Sequence, residues 1–111
     1  MNIEVLLSTM YQKNFDIVEK CNIRSNAIII NQCEEEKIET KKYSFGTVKM
    51  IYTKSRGLSN SRNLALNNAT ADICILCDDD IVYHDNYVST IEKAFFSYSF
   101  PSLYITSLQV F

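Results

Sequence analysis

Residues 56–82 read RGLSNSRNLALNNATADICILCDDDIV, and the way this stretch divides decides the fold. Gly57 permits a tight turn, Ser59 is a candidate N-cap, and NSRNLALNNA has helical spacing. Leu58, Ser61, Ala65 and Ala69 form the stripe expected to face a sheet, broadened by Leu64 and Leu66. Asp72 to Cys77 then reads as an apolar strand, and it runs into Asp78, Asp79 and Asp80. An open α/β sheet gathers its ligands beyond the carboxyl ends of its strands, which is where these aspartates fall.

Side chains leaving a strand alternate, so Asp78 and Asp80 are expected to aim one way and Asp79 the other. Two carboxylates on one side repel, and a raised pKa or a bound cation relieves the repulsion. Their oxygens suit Mg²⁺ or Mn²⁺, and magnesium commonly completes its shell with substrate phosphates. Spacing alone leaves a solvated acidic turn equally open, with Asp85 capping the next helix. Arg62 and Asn63 shift that balance. They lie in the first turns of the predicted helix, where free N–H groups and the helix dipole favour anions. A metal-bound diphosphate would satisfy both features. A salt bridge from Arg62 to Asp72 or Asp78 is the other reading of that arginine.

The run RGLSNSRNLALNNATADICILCDDDI resembles the nucleotide-sugar half of family 2 glycosyltransferases with the GT-A fold. In that family a Gly-x-Ser-x-x-Arg-Asn element precedes a strand carrying an Asp-x-Asp (DXD) motif. Gly57, Ser59, Arg62, Asn63 and Asp78 to Asp80 match it. The resemblance covers residues 48–90 most closely and extends from residue 3 onward. It implies a Rossmann-like α/β fold, a doubly wound and mostly parallel sheet. It also implies inverting transfer of a sugar from a nucleotide-sugar, expected to be a UDP-sugar, to a saccharide or lipid-linked acceptor, as in bacterial polysaccharide biosynthesis. Asp80, with Asp78, is the expected metal-ligand pair for Mn²⁺ or Mg²⁺. Asp78 or Asp79 would bind the ribose, and Arg62 the base or diphosphate.

The first strand is predicted over Ile3 to Ser8, followed by a helix at 13–22 whose buried stripe is Phe15, Val18 and Cys21. The family carries a Pro-Thr-Tyr-Asn-like sequence after this strand, bordering the nucleoside. Thr9 fits it, whereas Ser8, Met10 and Tyr11 depart from it; Tyr11 can stack on a base or anchor the helix. The second strand is Ala27 to Asn31. Where the family places an aspartate that reads uracil, this chain has Asn31 and Gln32, amides that can donate and accept. Gln32 is the candidate nucleotide ligand here. A strand-end amide satisfying a turn is the alternative.

Residues 33–46, CEEEKIETKKYSFG, read as a solvated face with at most a short irregular helix, and carry no assigned function. Thr47 to Thr53 alternates as an edge strand would. After the aspartates, His84 reads as a helix-entry residue and Asp85 as an N-cap. Tyr87, Val88, Ile91, Ala94, Phe95 and Tyr98 keep helical spacing, and Leu103 to Val110 forms a fifth strand beyond Pro101.

The 111 residues suffice for one domain, 1–111, and not two. A net charge of −2 with no basic block argues against nucleic acid and anionic membranes as partners. No secretory leader is evident, since Asn2 and Glu4 interrupt the start. Cys74 and Cys77 have CxxC spacing, but on a strand residues three apart face opposite ways, so they read as buried structural thiols. Free thiols at Cys21, Cys33, Cys74 and Cys77 fit a cytoplasmic setting, including a peripheral position at the inner membrane face.

The segment Ala94 to Phe111 has no charged residue and is rich in aromatic residues. No residue maps onto the family's general base, which is expected beyond Phe111. The chain therefore reads as a truncated, donor-binding half that pairs as a homodimer through this apolar segment. Two further readings stand beside the glycosyltransferase. One is a haloacid dehalogenase-type phosphatase with Asp78 as nucleophile and Asp80 as acid/base. No partner lysine or second acidic pair follows, and RGLSNSRN is left unexplained. The other is a non-catalytic nucleotide-binding module, suggested by the missing base.

Overall fold

The computed structural model describes the backbone of residues 2–98 and 103–106. Among the described residues six strands and three helices follow one another: β1 (Ile3–Met10), α1 (Asp16–Lys20), β2 (Asn26–Gln32), β3 (Lys37–Tyr43), β4 (Gly46–Thr53), α2 (Leu58–Asn68), β5 (Ile73–Asp78), α3 (Tyr87–Tyr98) and β6 (Leu103–Thr106). They form one sheet in the order β3-β4-β2-β1-β5-β6. All neighbours are parallel except β3 and β4.

Each strand of the sheet centre buries both faces, which is why β1, β2 and β5 are nearly continuous apolar runs. On one face Val5, Leu7, Ile29, Met50 and Ile75 pack with Ile17 and Val18 of α1 and with Tyr87, Ile91 and Phe95 of α3. On the other, Leu6, Ile28, Ile30, Ile51 and Leu76 pack against Ala65 of α2. Helices thus cover both sides, and the doubly wound α/β architecture implied by the sequence is present. In α2, Ser61 and Ala65 are the buried positions. Leu58 does not join them. It is 46% exposed at the first position of the helix.

Three boundaries differ from the sequence reading. The helix predicted at 13–22 is confined to Asp16–Lys20, although Cys21 is buried as expected. Residues 37–43, read as a solvated face, form β3, which pairs antiparallel with β4 in a hairpin closed at Tyr43 and Gly46. The polar sequence misled because an edge strand is wet on both faces and is held by its main chain, which hydropathy does not register. Lysine stems cover its aromatic neighbours: Lys37 Nζ lies 4.6 Å from the Tyr52 ring centroid and Lys41 Nζ 5.2 Å from that of Tyr43. With β3 in place, β4 is an interior strand, not the predicted edge. At the hairpin Gly46 has no room for a side chain, since a Cβ would collide with Asn26 Oδ1, which accepts a hydrogen bond from Thr47 N at 2.8 Å.

The strand expected from Leu103 is present as β6, Leu103–Thr106, and it pairs parallel with β5. The predicted continuation to Val110, and the side chains of the apolar segment from residue 96 onward that were expected to form a dimer contact, lie outside the described residues. Among the described residues, no helix is long and apolar enough to cross a membrane.

Burial grades the strands, and stability should follow it. Leu7→Ala, in the fully buried centre of β1, is expected to lower unfolding free energy by about 2–5 kcal/mol in urea titration. Ile38→Ala, on the exposed edge strand, should change it by less than about 0.5 kcal/mol.

Candidate functional site

The parallel register aligns the carboxyl ends of β2, β1 and β5. Met10 pairs with Gln32, Thr9 with Asn31, and Ser8 with both Ile30 and Asp78. The apolar core ends here, and polar side chains take over at one level across the sheet. A cleft of about 530 Å³ opens along this edge, lined by Ser8, Thr9, Gln32, Arg56, Gly57, Ser61, Asp78 and Asp79 among others.

The aspartates fan out as strand alternation requires. Asp78, the last residue of β5, turns toward α2, where Arg62 Nη2 lies 3.9 Å from its Oδ1. Asp79 turns to the other face and accepts a 2.7 Å hydrogen bond from Thr9 Oγ1, which itself accepts one from Gln12 Nε2 at 2.9 Å. Thr9 is buried and fully engaged, so it orients Asp79. The main-chain carbonyl of Asp79 also receives the Cys21 thiol at 3.7 Å. Asp80 stands exposed in the following turn and makes no hydrogen bond or ion pair with a described residue. The Arg62–Asp78 pair is long, and its side chains are 35% and 46% exposed, so it contributes at most about 1 kcal/mol. Such a pair yields readily to a ligand.

The structure brings Thr9, Gln32, Arg62, Asp78 and Asp79 to this one edge. Tyr11 stands apart from the cleft lining. Its backbone is left-handed (φ 55°), its N–H is donated to Gln32 O at 3.1 Å, and its ring is exposed near Arg56. Asn31 is fully buried and spent on structure. Its Oδ1 accepts from Gln12 N at 2.9 Å and its Nδ2 donates to Gln12 O at 2.8 Å. Gln32 Nε2 donates to Gly57 O at 2.9 Å, so this side chain ties β2 to the turn before α2.

The turn itself is set by Gly57, whose φ of 94° a side chain would strain. Gly57 is the residue preceding α2, and no side chain caps that helix. Ser59, expected as the cap, instead lies within the first turn. The first-turn N–H groups are therefore not consumed by a cap, which leaves an anion-favouring end beside the cleft. Ser61, one turn on, shares a 2.6 Å hydrogen bond with Ser8 and pins α2 to the end of β1. Asp85 also departs from its predicted role. Its carboxylate receives Asn22 Nδ2 at 2.8 Å and lies 3.4 Å from Arg24 Nη2. Asn22 Nδ2 further donates to Tyr83 O at 2.8 Å, fastening the segment after the aspartates to the end of α1. Sequence reading passed over Ser8, Gln12 and Arg56. The available signal was position, since each flanks a strand end or the glycine turn.

For a divalent cation, the donors present are carboxylate oxygens of the aspartate turn, chemically suited to Mg²⁺ or Mn²⁺. Among the described residues no group of three metal-ligating side chains converges. A divalent cation bound to these carboxylates would need ligand phosphates or water to complete its shell, as magnesium favours.

A profile of the family described as Glycosyl transferase family 2 matches residues 21–99, more than half of the chain. The chain belongs to that family. The match spans the Gly57–Asn63 element and all three aspartates. Comparison with curated proteins and with solved structures returns no match.

All four cysteines are free and buried. Burial pushes the Cys74 thiol up to about 11 and the Cys77 thiol up to about 12. The folded state thus disfavours both thiolates, and stability should be constant below the ordinary thiol value of 9.0 and fall as pH rises from there toward 12. Iodoacetamide at pH 8 should leave both unmodified in the native chain and label them in urea; native labelling of Cys77 would contradict the packing.

Proposed function

We propose that this family 2 chain binds the nucleoside diphosphate of a nucleotide-sugar, a UDP-sugar by preference, as the donor half of an inverting glycosyltransferase. The observation that carries the reading is the juxtaposition of the uncapped α2 turn, Gly57 to Arg62, with Asp78 and Asp79 across one cleft. One side favours anions and the other holds carboxylates, and a metal-bound diphosphate answers both.

In this proposal Arg62 releases Asp78 and turns to the diphosphate, while the first-turn amides of α2 meet the phosphate oxygens. Asp79, oriented by Thr9, accepts from a ribose hydroxyl. Gln32, with its Nε2 held by Gly57, offers its carbonyl oxygen to the base, and Tyr11 offers a face for stacking. Asp78 and Asp80 would hold Mn²⁺ or Mg²⁺, which when bound offsets charge on the departing nucleoside diphosphate. No residue of this chain is assigned the general base that would activate a saccharide or lipid-linked acceptor. Free thiols support a cytoplasmic setting.

Calorimetric titration of UDP in Mn²⁺, in Mg²⁺ and in EDTA tests the reading. Binding is expected with either metal and should fall at least about tenfold in EDTA, equivalent to about 1.4 kcal/mol. Asp80→Asn should lose that metal dependence while melting like the wild type. Equal affinity in EDTA would remove the metal from the proposal, and no binding under any condition would end it.

We also propose that the apolar segment from Ala94 onward joins two copies of the chain. Light scattering at micromolar concentration should report a dimer; a clean monomer refutes it.

A further inference from the structure

Arg56 sits immediately before the glycine turn and lines the cleft. A cation in that place invites assignment to a phosphate. Its contacts point elsewhere. Nη1 lies 3.1 Å from Cys33 O, 2.9 Å from Lys54 O, 3.1 Å from Ser55 O and 3.5 Å from Thr53 O. Nη2 donates to Glu34 Oε1 at 2.9 Å, and the guanidinium carbon is 5.8 Å from the centroid of the Tyr11 ring. Three strand ends therefore meet on one side chain: β1 through Tyr11, β2 through Cys33 and Glu34, and β4 through residues 53–55. The main chain of Arg56 continues the connection, since its carbonyl accepts from Asn60 Nδ2 in α2 at 2.8 Å.

The contrast with Arg62 is chemical. Arg62 has one long, half-exposed contact and is free to turn to a ligand. Nη1 of Arg56 is already directed at main-chain carbonyls and Nη2 at the Glu34 carboxylate, and a flat fork that aims two nitrogens at separate acceptors is something the single nitrogen of lysine cannot reproduce. Without it, the loops after β2 and β4 keep Cys33 N to Thr53 O (2.9 Å) and Lys54 N to Glu36 Oε1 (2.8 Å), and Tyr11 keeps its N–H bond to Gln32 O (3.1 Å), but Glu34, residues 53–55 and the Tyr11 ring lose the group they share.

We propose that Arg56 is a positioning residue, a clamp that assembles the nucleoside end of the cleft before ligand arrives and does not itself bind phosphate. This rests on the nucleotide-binding reading for its ligand. Binding affinity would then depend on Arg56 through the geometry of Tyr11, Gln32 and the loops at 33–36 and 53–57, because order already present in the free protein need not be imposed on binding.

The test uses the full 111-residue chain with Mn²⁺ and two probes, UMP and UDP. Arg56→Ala and Arg56→Lys should both weaken the two nucleotides by the same factor, about tenfold, with no rescue by lysine. Arg62→Ala should weaken UDP more than UMP. In the ligand-free chain, amide hydrogen exchange should quicken at 33–36 and 53–57 in both Arg56 variants, while Arg62→Ala leaves those segments protected. Wild-type affinity in Arg56→Lys, or a loss that grows from UMP to UDP, would make Arg56 a direct phosphate ligand and overturn the clamp. If the wild-type chain binds neither nucleotide, the proposed function fails. The exchange comparison still decides the clamp, because unchanged protection in Arg56→Ala would refute it.

Discussion

Strand β1 lies between two parallel partners, β2 and β5, with a helical layer on each face of the sheet. The other features of the molecule follow from that confinement. A strand covered on both sides has no place for an unpaired polar group along its length. Polar side chains are therefore displaced to the strand ends, and the parallel arrangement places those ends on one edge. The register then fixes their order: Gln32 beside Met10, Asn31 beside Thr9, and Asp78 beside Ser8. The cleft is the region where the core stops.

At that edge, satisfied and available groups are separated by burial. Asn31 is fully buried and exchanges two hydrogen bonds with the main chain of Gln12, and Thr9 both donates and accepts. A buried amide stripped of such partners costs about 1–3 kcal/mol, so these groups are committed to holding the edge together. The Arg62–Asp78 pair is the opposite case. At 3.9 Å and partly in water, it contributes little and is readily exchanged for a ligand's charge. The rigid framework thus carries Asp79, Gln32 and the glycine turn, while the groups suited to meeting a diphosphate remain loosely held. Preorganised acceptors beside exchangeable charges are the arrangement on which the proposed nucleotide site rests.

The two arginines flanking Gly57 divide these functions. Arg62 resides on α2, where the helix fixes its backbone and leaves its side chain free. Arg56 resides in a loop, where its side chain supplies the order that hydrogen-bonded secondary structure supplies elsewhere. Loops carrying binding groups need such cross-links, because few apolar contacts hold them.

The order of strands and helices was legible in the sequence because the central strands are short continuous apolar runs while the helices repeat their apolar positions with a helical period, and burial follows both. For the same reason the aspartates, the glycine turn and Arg62 could be placed on one sheet edge from their positions relative to β5 and α2. Strand β3 was not legible, since an exposed edge strand is held by main-chain hydrogen bonds to β4 and its side chains carry no periodic apolar signal. The sequence singled out Gln32 and Arg62, but the hydrogen-bond partners of Asn31 and Arg56 were not legible in it. Residue type sets what a side chain can donate or accept, whereas its actual partner depends on which strand ends lie within about 3 Å. Asn31 meets Gln12 and Arg56 meets Cys33 only because β1, β2 and β4 are brought side by side, and that proximity belongs to the tertiary structure alone.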